Sequence, residues 1–106
     1  MEIELLEICV LSGSMREAKK IAETLVKEKL AACANISECN STYFWKGKME
    51  KHTEWQISLT SMPQLFAEAE KRIKELHTYE LPAITAIPIA KANESYAKWV
   101  VENVKK

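Results

Sequence analysis

The stretch Lys29–Glu50, KLAACANISECNSTYFWKGKME, joins the end of a helix to a strand and then to an aromatic hairpin. Upstream of it, apolar residues recur at helical spacing. From Leu30 onward small and β-branched residues take over, as in a strand that starts against a core. Downstream, Tyr43-Phe44-Trp45 runs into Lys46-Gly47-Lys48, a turn whose glycine accepts φ > 0. Three consecutive aromatics at a hairpin tip are more apolar surface than a monomer leaves in water. They predict an interface or a binding cleft.

Working outward, Ile3–Leu11 (IELLEICVL) is an apolar run rich in strand formers and reads as a central, well-covered strand. Ser12-Gly13-Ser14 breaks it, and Ser14 with Glu17 has the spacing of a capping box. Ala18, Ile21, Ala22, Leu25 and then Lys29-Leu30 continue at helical spacing, predicting a helix of about four turns. A second strand spans Ala31–Trp45, with a bulge expected near Asn40-Ser41. Its partner strand alternates cleanly: Trp55, Ile57 and Leu59 face the core, Glu54, Gln56, Ser58 and Thr60 the other side.

Ser61–Gln64 is read as a serine-to-glutamine cap for a second helix with Leu65, Phe66, Ala69, Ile73 and Leu76 on its apolar face. The loop from Leu76 to Pro82 leads to a fourth strand, Ala83–Ile89, placed at an edge by Pro88. Asn93 is expected to cap a terminal helix carrying Tyr96, Trp99, Val100 and Val104. The order predicts an α+β, ferredoxin-like βαββαβ sandwich with an extra C-terminal helix. Both main helices then share one sheet face. The other face, the hairpin and the tryptophans need covering, which predicts a symmetric oligomer.

At 106 residues the chain is expected to form a single domain, 1–106. Fifteen acids balance fifteen bases, so no net field steers it onto nucleic acid or anionic lipid. No apolar run approaches the roughly 20 residues that span a bilayer, and no signal-like segment opens the chain, so a cytoplasmic protein is expected. Cys9, Cys33 and Cys39 are an odd number without CxxC spacing, which argues against a disulfide scaffold and a zinc motif. With only Gly13 and Gly47, the chain has no phosphate-cradling loop. It also lacks G-x-S-x-G and H-E-x-x-H, so no enzyme is expected.

EKLAACANI, YFWKGKME, LHTYELPAI and YAKWV, in this order and spacing, resemble the CutA family of divalent-cation tolerance proteins across essentially the whole chain. The resemblance implies a ferredoxin-like fold, a PII-like homotrimer assembled through long hairpins, and a link to copper and other divalent cations. This chain departs from the family at three places. It has His77-Thr78-Tyr79 where many members have His-Pro-Tyr, Leu76-His77 where some have paired histidines, and Leu59 where many have lysine.

Copper(I) prefers soft thiolates, copper(II) imidazole and oxygen, so the candidate metal ligands are Cys33, Cys39, His77 and Glu54. Cys33 and Cys39 lie about 20 Å apart on an extended strand, too far to share an ion within one chain. Tyr43, Trp45, Glu54 and Tyr79 are expected to line an inter-subunit cleft, with His77 beside them. Phe44, Trp55 and Trp99 are expected to pack the trimer, and His52 to be exposed. No cofactor is required, and copper or another divalent cation is the candidate ligand. Three rivals share the fold. An RNA-recognition module needs stacking aromatics on its central strands and a basic, glycine-containing signature, whereas here the first strand has no aromatic and the third only Trp55. A soft-metal chaperone needs paired cysteines after the first strand, where this chain has Leu11-Ser12-Gly13-Ser14. A trimeric scaffold for an unidentified protein partner is the third.

Overall fold

The computed structural model describes residues 2–106. Strand β1 (Leu5–Ser12) leads to helix α1 (Met15–Lys27), then strands β2 (Cys33–Trp45) and β3 (Lys48–Ser61). A short 3-10 turn (Pro63–Leu65), helix α2 (Phe66–Leu76), strand β4 (Ile84–Ile89) and helix α3 (Glu94–Glu102) follow. The four strands form one antiparallel sheet in the order β2-β3-β1-β4. This is the expected ferredoxin-like arrangement with an added C-terminal helix.

Alternation along the strands sorts the molecule into layers. Leu6, Ile8 and Val10 of β1 and Ile57 and Leu59 of β3 point to the α1–α2 side, where they meet Ile21, Leu25, Ala69 and Ile73. Each such burial stabilises the fold by roughly 1.5–3 kcal/mol before conformational entropy is set against it. Trp55 continues this row and packs, half-buried, against the same core. A smaller cluster joins Leu5, Ala32 and Leu65 to Ala97, Val100 and Val104 of α3. Helix α3 thereby covers one end of the opposite face, and the remainder of that face is open in a single chain.

Several local expectations are corrected. The β2–β3 register runs unbroken from Cys33↔Thr60 to Trp45↔Lys48, so no bulge interrupts Asn40-Ser41. Helix α1 stops at Lys27 rather than reaching Leu30, because Lys29 turns left-handed (φ 60). Leu30 N–H then bonds Leu25 O at 2.9 Å and Lys29 N–H bonds Val26 O at 3.0 Å, a Schellman closure. Ser14 accepts from Glu17 N–H as predicted, but the Glu17 carboxylate turns instead to Ser12 and Thr78. Ser61 does not cap α2: it sits buried in β3 and donates to Leu30 O at 2.7 Å. Asn93 occupies the N-cap position but makes no side-chain cap; its Nδ2 donates to Ser95 Oγ at 3.0 Å.

The hairpin overhangs the body. Strand β1 reaches only as far as the Ser12↔Trp55 pair, so Lys48–Glu54 and Cys39–Trp45 are paired in this chain only with each other. Lys46 (φ 51) and Gly47 (φ 82) form the two-residue connection, both left-handed as a type I′ turn requires. The overhang stretches the molecule to 49 × 24 × 21 Å.

Candidate functional site

Where the hairpin leaves the sheet, Leu11, Ser41–Trp45, Glu54 and the loop from Thr78 to Ala83 enclose a cleft of about 700 Å³. Glu54 is its polar centre. It lies on β3 just past the end of β1, on the face opposite Ile57 and Leu59, and is only 3% exposed. Tyr79 Oη donates to Glu54 Oε2 at 2.7 Å. Burial, then the hydrogen bond to Glu54 and its charge, push the Tyr79 hydroxyl far above the usual tyrosine value, which keeps it a donor. Tyr43 is raised by burial and then by Glu54 and Glu50, and its hydroxyl shares a 2.9 Å hydrogen bond with His52 Nε2.

Gly13 makes this seat possible. A Cβ there would lie 2.8 Å from Tyr79 Oη and 3.1 Å from its Cε1, so only glycine lets the ring cross the end of β1. His77 fixes the same loop from behind. Its side chain is 0% exposed; Nε2 lies 2.6 Å from Leu11 O, and Nδ1 accepts Tyr79 N–H at 3.1 Å. These partners engage both ring nitrogens, with Nε2 as the donor and Nδ1 as the acceptor. Glu17 Oε2, 3.6 Å from Nδ1, is held by Ser12 at 2.7 Å, while Oε1 accepts Thr78 N–H at 3.1 Å. Burial raises the Glu17 carboxyl, but the hydrogen bonds from Thr78 and Ser12 outweigh it and leave the carboxyl below its usual range.

The structure therefore brings Tyr43, Trp45, Glu54 and Tyr79 to one cleft and places His77 behind it rather than in it. Of the candidate metal ligands, Cys39 and Glu54 are register partners on adjacent strands, which sets their Cβ atoms about 5 Å apart. Cys33 lies at the far end of β2, its sulfur 3.2 Å from Tyr96 Oη. Among the described residues no three His, Cys, Asp or Glu side chains converge on one point. Phe44 is 70% exposed at the hairpin tip, and Trp99 is exposed on α3, stacked on Tyr96. Sequence reasoning missed Gly13 and Glu17. Their roles depend on the Thr78–Tyr79 backbone and ring, which no local pattern announces.

Fold and cleft together define a class: a ferredoxin-like α+β protein with an overhanging hairpin and a carboxylate–tyrosine cleft at its root. Residues 7–103 match the family described as CutA1 divalent ion tolerance protein. The divalent-cation tolerance protein CutA of Pyrococcus horikoshii is 45% identical over 89 residues, covering 84% of this chain and 87% of that one. The crystal structure of CutA1 from the same organism superposes with a TM-score of 0.92 at 39% identity, over 95% of this chain and 99% of that one. The Archaeoglobus fulgidus structure gives 0.93 at 36% identity, over 95% and 99%. The chain belongs to the CutA1 divalent ion tolerance family.

One expectation is overturned by these relatives. The Archaeoglobus fulgidus protein is described as a periplasmic divalent cation tolerance protein, so the cytoplasmic assignment is withdrawn. Among the described residues no helix is long and apolar enough to cross a membrane, but that fact does not choose between aqueous compartments.

Proposed function

We propose that this chain, as one domain spanning 1–106, forms a homotrimer that binds divalent cations, copper first, and serves metal-ion tolerance without catalysing a reaction. Its partners in this reading are its own copies and metal ions, not nucleic acid or membrane. Family membership supports the tolerance role. The overhanging hairpin, with Phe44 exposed at its tip, supports assembly, since a neighbouring copy would cover it.

The observation that carries metal binding is the Cys39–Glu54 pair. A thiol and a carboxylate side by side supply two donors of the kinds that copper accepts, and a neighbouring copy would complete the shell. Calorimetric titration of the reduced protein with copper tests this. Cys39→Ser and Glu54→Gln should each weaken binding by about tenfold or more, and Cys33→Ser should leave it nearly unchanged. Unaltered affinity in a folded Cys39→Ser/Glu54→Gln double variant would sink the site.

A second reading, a PII-like assembly holding a small ligand in inter-subunit clefts, is favoured by one specific feature. Glu54 is almost wholly buried, yet only its Oε2 has a hydrogen-bond partner among the described residues.

A further inference from the structure

The free oxygen of Glu54 narrows what the cleft can hold. No buried side-chain oxygen or nitrogen among the described residues lacks a partner, so Glu54 Oε1, which has none, must reach the open space of the cleft. A carboxylate that is otherwise buried and turns one oxygen into the cleft is a docking point for a donor or a positive charge. The lining nearest to it includes the Tyr43 ring, Leu11 and Leu81, while Trp45 lies further along the cleft, beside the hairpin turn. Aromatic faces attract cations whose hydration is weak, and they offer nothing to anions. Trp45 already does so within the chain, with the Lys46 ammonium 5.6 Å from its ring centroid.

A bare divalent metal ion is served less well by these walls. Hard cations of the calcium or magnesium kind need several oxygen ligands, and among the described residues the other carboxylate on the cleft, Glu80, is exposed and faces Lys46 at 3.6 Å. Copper, which takes the Cys39 thiol, is not bound by this limit. An alkylammonium or guanidinium group, by contrast, uses one carboxylate oxygen and an aromatic wall, and its stem suits the apolar remainder. About 700 Å³ is ample for such a molecule.

We propose that the cleft binds a small organic cation, a primary amine or guanidine with an apolar stem, through Glu54 Oε1 and the Tyr43 ring. The inference rests on the small-ligand reading of the cleft and names its ligand class. It separates from the copper site by residue: Cys39 serves only the metal, Tyr43 only the organic cation, and Glu54 both.

The test uses the purified full chain in its native assembly, with n-butylamine and agmatine as probes and butyramide and butyrate as neutral and anionic controls. Ligand-observed saturation-transfer NMR should detect the two cations and neither control. Amide resonances of Tyr43, Glu54 and Tyr79 should shift with saturation. Glu54→Gln and Tyr43→Leu should each weaken probe binding by about tenfold, and Cys39→Ser should not. Tyr43→Leu, on the exposed hairpin, keeps the test decisive should Glu54→Gln fail to fold. Equal binding of butyramide, or binding indifferent to both variants, overturns the proposal. So does a trimer that takes copper at Glu54 but binds neither amine, as when a neighbouring copy's own cation fills the cleft; the metal reading then stands. Amine binding without copper binding supports this inference and removes the metal reading instead.

Discussion

At Gly13 the absence of a Cβ leaves room for the Tyr79 ring that closes the cleft. With a Cβ 2.8 Å from Tyr79 Oη, Gly13→Ala must displace the ring and strain or break its bond to Glu54, at a cost of about 1–3 kcal/mol. Removing the hydroxyl removes the closest clash, so Gly13→Ala should cost less in a Tyr79→Phe background. A double-mutant cycle by denaturant unfolding checks this, and strict additivity would contradict it. Glu17 gives a pH prediction. Its folded carboxyl titrates below the ordinary 4.5, so it contributes stability above that value and loses it as pH falls further. Thermal unfolding followed between pH 5 and pH 3 should show a steeper loss in the wild type than in Glu17→Gln; parallel curves would refute the linkage. Glu54 was legible as a strand carboxylate opposite the core, because alternation with Trp55 and Ile57 fixes its face. Its burial was not, since that comes from Tyr79, on a loop far away in sequence.

Elements were legible where periodicity is strong and least so at their ends. The β3 alternation, the α1 stripe and the Lys46-Gly47 turn all carry their geometry in local spacing. The termini depend on tertiary competition. Ser61 has the sequence of a cap, but the Leu30 carbonyl at 2.7 Å claims its hydroxyl, and Asn93 is taken by Ser95. The end of α1 was misplaced because lysine, not glycine, takes the left-handed position of the Schellman closure. There Lys29→Gly should stabilise the protein by about 1 kcal/mol, since glycine adopts φ 60 without the Cβ penalty. Scanning calorimetry reads this as a raised Tm. An unchanged or lowered Tm would mean that glycine's extra unfolded-state entropy or lost Lys29 packing offsets the gain.

At the scale of the whole molecule, the hairpin is the feature a single chain leaves unfinished. Its aromatics were legible in sequence as something to be covered; in the proposed trimer neighbouring copies cover them. Trp45, beside the turn, lines the outer part of the cleft. Trp45→Ala should therefore shift sedimentation from trimer toward smaller species at micromolar concentration, while the α1–α2 core keeps the subunit folded by circular dichroism. A fully intact trimer of equal stability would remove Trp45 from the interface.

The most direct measurement is native mass spectrometry of the reduced protein, with and without stoichiometric copper. The account predicts a trimer without metal and, on adding copper, a trimer carrying one ion per subunit. A monomer would contradict the assembly, and a trimer with no copper or a ragged distribution would contradict the metal site.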